Sequence, residues 1–156
     1  MAITIRRATR ADAKTIARFA ILLSEQHRDY DEKRFVAMSD IAGAEWFYGS
    51  HSEASDAAIL IAEVDGRPVG FAYIQYEAKN YADLLENAAW LHDIYLEESA
   101  RNSGAGRSLI ESAGSVAKEL GADKLMLHVA AMNSPAREFF EKAGFRTTMF
   151  EMLRSV

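Results

Sequence analysis

Arg101-Asn102-Ser103-Gly104-Ala105-Gly106-Arg107 lies between an apolar run, residues 91–96, and a run of helical periodicity, residues 108–120. The order reads as strand, tight turn, helix. Gly104 and Gly106 carry no Cβ, so the backbone is free to take unusual dihedrals and to approach a ligand closely. The first N–H groups of the helix have no partner inside it, which makes such a turn a place that binds anions. Arg107 adds to this, because a cation in the first turn opposes the helix macrodipole unless something negative sits beside it. A phosphate satisfies both.

Two nucleotide readings of the turn fail. The dinucleotide fingerprint requires a third glycine where Leu109 stands, and the Gly-Lys-Ser/Thr of a nucleoside triphosphate site is missing. The residues of the turn then leave two options, an anion site or an ordinary connection from strand to helix. Further along the chain, the helix ends at Gly121 and an apolar strand follows at residues 125–129. Next come Asn133-Ser134-Pro135-Ala136 and Phe139-Phe140-Glu141-Lys142-Ala143-Gly144-Phe145.

These two blocks resemble the GCN5-related N-acetyltransferase (GNAT) superfamily. Arg101, Gly104 and Gly106 match its Arg/Gln-x-x-Gly-x-Gly/Ala turn, and the second block is similar to its Asn-x-x-Ala, aromatic, Gly-Phe segment. The resemblance covers roughly the C-terminal half. It implies an α/β (α+β) fold: a central mixed, mostly antiparallel sheet with a parallel central strand pair that splays apart, flanked by about four helices. It also implies an acetyl-CoA-dependent N-acetyltransferase, with acetyl-CoA as co-substrate and no metal.

Composition is compatible with this. A chain of 156 residues is the size of one domain, here read as residues 1–156, and buries about two thirds of the surface it exposes when unfolded. The absence of cysteine excludes disulfides, thiolate metal sites and a cysteinyl acyl-enzyme, so direct transfer is expected. No secretory pattern opens the chain and no apolar run approaches the roughly 18 residues of a membrane span, which predicts a cytoplasmic protein without a membrane partner. A net charge of −5 disfavours a nucleic-acid partner and tolerates a cationic substrate.

Taken in order, residues 3–6 alternate as a strand, and Thr9 to Asp12 forms a capping-box-like start to a helix with Ile16, Phe19, Ala20 and Leu23 on one face. The charged stretch 25–34 is where that helix frays or turns. A second helix is predicted over residues 40–48, ending at Gly49-Ser50. Residues 57–64 and 69–76 read as an antiparallel hairpin about Asp65-Gly66. Residues 77–87 have no readable pattern. A strand over 90–96 leads into the turn, residues 125–129 lie parallel to it, Pro135 opens a helix that Gly144 caps, and residues 145–154 make a final strand.

The resemblance assigns the chemistry. The N–H groups of Asn102, Ser103, Gly104, Ala105 and Gly106 cradle the pyrophosphate, with Arg101 and Arg107 supplying charge, and the pantetheine arm runs along Ile94 and Leu96. Asn133, Ala136 and Phe140 also belong to the cofactor side, although Asn133 reads equally as a helix N-cap. His92 is read as lying on the same strand face as Ile94 and Leu96. It is either a general base with an ordinary imidazole pKa of about 6.5 or a half-buried histidine bonded within the sheet. Asp93 is expected on the opposite face, and His128 reads as packing.

Many relatives carry a tyrosine where Phe140 stands, and phenylalanine has no proton to give a leaving thiolate. Tyr95, Tyr76 or Tyr30 then substitutes, or water does. Tyr30, Asp31, Tyr76 and Asp93 are the expected acceptor-side residues. The expected acceptor is a primary amine of a small molecule, a polyamine, an aminoglycoside or an amino-acid derivative. The alternatives are a protein or peptide N-acetyltransferase and a low-turnover acyl-CoA-binding module, the latter favoured by Phe140. A homodimer, made by pairing or exchange of the final strand, is the remaining expected partner.

Overall fold

The computed structural model describes residues 1–156. Strand β1, Ile3–Arg7, is followed by a 3-10 turn at Arg10–Asp12 and helix α1, Ala13–Tyr30. The Asp12 carboxylate accepts from the Thr9 N–H at 2.8 Å and from the Arg6 guanidinium, which joins the helix start to β1. Ile16, Ala17, Phe19 and Ala20 are the buried residues of α1. The helix persists through the charged stretch to Tyr30, where the Asp31 carboxylate accepts from the N–H groups of Lys33 and Arg34 and turns the chain.

Helix α2, Ile41–Ser52, is capped by Asp40, whose side chain accepts from the Gly43 N–H at 2.9 Å. It continues past Gly49, where a stop was expected, because that glycine is buried against α1. A Cβ there would meet the Arg10 guanidinium at 3.4 Å and Ala13 at 3.5 Å. The glycine serves packing, so it does not end the helix.

Strands β2, Ala57–Val64, and β3, Arg67–Asn80, form the predicted hairpin, with Asp65 and Gly66 both at positive φ as a tight two-residue turn requires. Strand β4 spans Leu85–Leu96. The unreadable stretch 77–87 thus belongs to a second, longer hairpin whose end projects beyond the sheet. Helix α3, Ala105–Glu119, leads to β5, Lys124–Leu127, and then to α4, Ser134–Lys142. The sheet order is β1-β2-β3-β4-β5, antiparallel except for the parallel pair β4–β5.

The sheet separates two apolar layers. Ala72, Ile74, Ala89 and Leu91 meet Leu109, Ile110, Ala113 and Val116 of α3, while Ile59, Ile61, Phe71 and Tyr73 meet Ile16, Phe19 and Tyr48 of α1 and α2. No helix is long and apolar enough to cross a membrane.

One expected element does not form. Residues 145–154 pair with nothing, and every residue from Arg146 to Val156 is exposed. Strand propensity alone does not hold a strand; a neighbour must accept its hydrogen bonds, and this segment leaves α4 without meeting one. β5 is therefore the outer strand of the sheet.

Candidate active site

The site begins with an irregularity in β4. Tyr73 stands opposite Asp93 and Ile74 opposite Leu91, so His92 is an extra residue in the β3–β4 ladder. A bulge bends its strand and re-aims the side chain that it carries. Leu91, Ile94 and Leu96 pack with the α3 layer. Asp93 reaches α2, where the Tyr48 hydroxyl donates to its Oδ2 at 2.7 Å, and Tyr95 lies on Phe19 of α1 with ring centroids 5.5 Å apart. His92 goes with these: its ring lies 5.4 Å from Tyr73 and 6.1 Å from Trp90, nearly parallel to the latter.

Simple alternation had put His92 beside Ile94 and Leu96 and Asp93 on the other face. The bulge reverses the parity, and both side chains belong to the α1/α2 side. The same irregularity ends the parallel ladder. β4 and β5 pair only from Ala88↔Lys124 to Leu91↔Leu127, while β4 runs on to Leu96. Beyond Leu91 the two strands separate, and His92 stands where the gap opens.

Rings line the α1/α2 side of this opening. Phe47, His51, Tyr73, His92, Trp90 and His128 follow one another with centroid separations of 4.0, 5.4, 5.4, 6.1 and 4.8 Å. Much of His92 remains open to solvent, yet burial of its ring against this row is the main reason its pKa falls below the ordinary imidazole value. His128 and His51 lower it further, while Asp93 and Glu77 oppose the change. At neutral pH the ring is therefore neutral and able to accept a proton. Burial raises the Asp93 carboxyl above its usual range, opposed by the Tyr48 hydrogen bond and by His92 and His27. The Tyr73 hydroxyl, pushed up to about 12 mainly by burial, stays protonated and donates to Gln75.

At the far end of β4, a short 3-10 turn at Glu98–Ala100 leads into the glycine turn. Asn102 has φ 61° and Gly104, the residue before α3, has φ 94°. No side chain caps α3 from that position. Ser103 takes the Ala100 carbonyl through its hydroxyl and receives the Ala105 N–H at 3.3 Å. Arg101 folds back so that its Nε donates to the Leu96 carbonyl at 3.2 Å, and Arg107 projects into solvent beside Glu111. A Cβ on Gly106 would meet Leu96 and Phe139 at 3.3 Å, so this glycine lets α3 approach both β4 and α4. A helix start at which only the Ala105 N–H is taken up by a side chain, flanked by two arginines, fits a pyrophosphate.

A model of the acetyltransferase (GNAT) family matches residues 17–145. The chain belongs to that family. This GNAT chain is 31% identical, over 90% of its length and 88% of the relative's, to an uncharacterized N-acetyltransferase, YhfO, of Bacillus subtilis. It is 33% identical to the streptothricin acetyltransferase of Streptomyces lavendulae over 68% of this chain and 53% of that one. Its fold superposes on an aminoglycoside N-acetyltransferase, AAC(6')-Iy, in complex with coenzyme A, with a TM-score of 0.81 at 16% identity, over 99% of this chain and 95% of that one. The protein is thus an N-acetyltransferase of GNAT fold, and acetyl-CoA is its co-substrate.

Not all of the expected site residues gather here. Ile94, Leu96 and residues 101–107 occupy the strand end and turn as expected. Asn133 caps α4, its side chain accepting from the Ala136 N–H at 3.3 Å, and Ala136 and Phe140 pack into the α3-side layer, Phe140 being buried. Tyr76 is a correction. It faces α3, with its hydroxyl on Asn87 at 2.6 Å and its ring near Gly121, on the opposite side of the sheet from His92. Tyr30 and Asp31 are engaged locally, with the Tyr30 hydroxyl accepting from Gln26 and Asp31 forming the turn after α1. Tyr48, Tyr73, Trp90 and His51 were missed. β3 is buried on both faces over much of its length, so alternation did not reveal which of its tyrosines meets the site.

Proposed function

We propose that the protein transfers an acetyl group from acetyl-CoA directly to the primary amine of a small molecule, acting as one domain in the cytoplasm. The amine nitrogen attacks the thioester carbonyl, the C–S bond breaks, and the thiolate of coenzyme A leaves. His92 takes the proton that the attacking ammonium must lose, directly or through a water. The observation that carries this is the position of His92 on a bulge at the opening between β4 and β5, on the strand whose other end forms the glycine turn.

In this reading the chain's own groups have separate tasks. Residues 101–107 and the start of α3 hold the pyrophosphate, and the edge of β4 from Ile94 to Leu96 aligns the pantetheine amides. Phe140 has no proton to donate. Tyr73, beside His92 and still protonated, and Tyr95, on the same face, are the hydroxyls on the acceptor side, and water serves otherwise.

The ring row, buried at Tyr73 and Trp90 and open at His92 and His128, with the carboxyl groups of Glu77 and Asp93 near it, suits a cationic acceptor of polyamine, aminoglycoside or amino-acid type. The family relatives whose printed names include streptothricin and aminoglycoside acetyltransferases support this class. Acetyl-CoA consumption, followed by thiol release across a panel of such amines and N-terminal peptides, tests it. Release with small amines is the expected result. Release with peptides alone overturns the small-molecule acceptor, and tight coenzyme binding with no acceptor-dependent release makes the protein an acyl-CoA-binding module.

A further inference from the structure

The bulge at His92 sets two consecutive side chains, His92 and Asp93, on the same side of the sheet, where an unbroken strand would send them to opposite faces. Asp93 is met there by α2, whose Tyr48 hydroxyl donates to Oδ2 at 2.7 Å. Tyr48 is 3% exposed, and its ring is held among Phe47, Phe71 and Tyr73 with centroids 5.1, 5.6 and 6.1 Å away. Burial, with Asp93 beside it, keeps the hydroxyl protonated, so it serves as a fixed donor.

The carboxyl group is otherwise alone. Asp93 belongs to no ion pair of the chain. Its Oδ1 accepts from no group of the protein, and no side-chain oxygen of the chain is both buried and without a partner, so Oδ1 lies open to solvent. Tyr48 is a neutral donor and steadies the group without supplying the positive charge that a half-buried carboxylate calls for. Burial outweighs the Tyr48 hydrogen bond and the influence of His92 and His27, which leaves the carboxyl raised.

The two neighbours suit different parts of one acceptor. His92 takes a proton from the ammonium that reacts, and that nitrogen enters the amide without charge. A carboxylate beside it is matched only by a cation that the reaction leaves in place. Consecutive α-carbons are about 3.8 Å apart, so such a cation lies a few bonds from the reacting nitrogen. We propose, resting on the reading of His92 as the base, that Asp93 binds the second ammonium group of a short diamine unit, as in a polyamine or an amino sugar with neighbouring amines. Tyr48 is the positioning residue that aims the open oxygen of Asp93 at that group. An acceptor with a carboxylate close to its amine, as in an amino acid, meets like charge here and is disfavoured.

Calorimetry on the full chain with coenzyme A present tests this subsite without turnover. Ethylenediamine, propanediamine and butanediamine are compared with the monoamines of equal heavy-atom count, propylamine, butylamine and pentylamine, and with aminobutyrate. The best diamine is expected to bind the wild type about ten- to a hundredfold more tightly than its monoamine. Asp93→Asn is expected to remove that preference, and Tyr48→Phe, which takes away one hydroxyl, to reduce it by about three- to tenfold. A bond that only ties α2 to the sheet would lower the unfolding temperature of both variants and leave the preference intact, which overturns the proposal. Equal affinities in the wild type, no binding of any diamine, or a preference for aminobutyrate overturns it as well. Thiol release from acetyl-CoA over the same amines separates this from the proposed reaction. Diamine binding without release keeps the subsite and removes acetyl transfer to small amines, whereas equal release with diamines and monoamines keeps the transfer and removes the subsite.

Discussion

His92 shows how one residue's chemistry depends on its neighbours. Its ring rests on Tyr73 and Trp90, and burial with two nearby imidazoles lowers its pKa, so the neutral, proton-accepting form extends to lower pH than in a free histidine. If it is the base, kcat/KM is expected to fall as pH falls through a value below about 6.5, where the imidazole takes up its proton. His92→Ala is expected to cost about 10²- to 10⁴-fold in kcat/KM and to remove that acid limb, with coenzyme A affinity unaltered. Rates measured from pH 5 to 9, beside calorimetry with coenzyme A, check both. An acid limb that survives in the variant removes His92 from the mechanism. The identity of this residue was readable in the chain, whereas its direction was not, since a single unpaired residue inverts the face of everything before it.

At the scale of the element, the glycine turn is two requirements in one loop. Gly104 sits at φ 94°, a conformation that a β-branched residue resists, although a Cβ there has room, its nearest neighbour being Ile3 at 3.8 Å. Gly106 has an ordinary helical conformation and no room, between Leu96 and Phe139. Gly104→Val is therefore expected to cost about 1–3 kcal/mol through strain and to weaken coenzyme A binding by roughly tenfold or more, because the N–H groups of the turn lose their aim. Thermal unfolding and calorimetry with coenzyme A measure the two effects. Unaltered affinity in a folded variant moves the pyrophosphate elsewhere. Spacing revealed this turn because backbone geometry demands glycine there, a local need that survives in any context. The long β3–β4 hairpin was invisible for the converse reason: residues 77–87 are polar, and their strands are held by each other, with little core contact to mark them.

For the whole molecule, the side of the sheet that faces α1 and α2 holds a half-buried acidic group, Asp93, whose carboxyl is raised by burial and braced by Tyr48. A folded-state pKa above the unfolded one means that the folded protein holds this proton more tightly. That contribution is complete below the unfolded value of about 3.9 and is lost as pH rises through the folded value. Asp93→Asn, which keeps an acceptor for the Tyr48 hydroxyl and never ionises, is thus expected to gain stability relative to wild type as pH rises from about 4 to 7. Urea unfolding of both proteins at several pH values checks the sign, and a variant that loses ground toward neutral pH would show that the ionised carboxylate is favoured in the fold.

The sequence by itself determined the family resemblance, the strand-turn-helix order about the glycine turn, most of the elements and the absence of cysteine, because these rest on local spacing and on residue types that no context can alter. Only the tertiary structure decided that His92 and Asp93 share a face with Tyr48, Tyr73 and Trp90, that Tyr76 lies on the other side, and that residues 146–156 form an unpaired arm. Each of these depends on which backbone groups find a partner across the sheet, and pairing is a property of two segments at once.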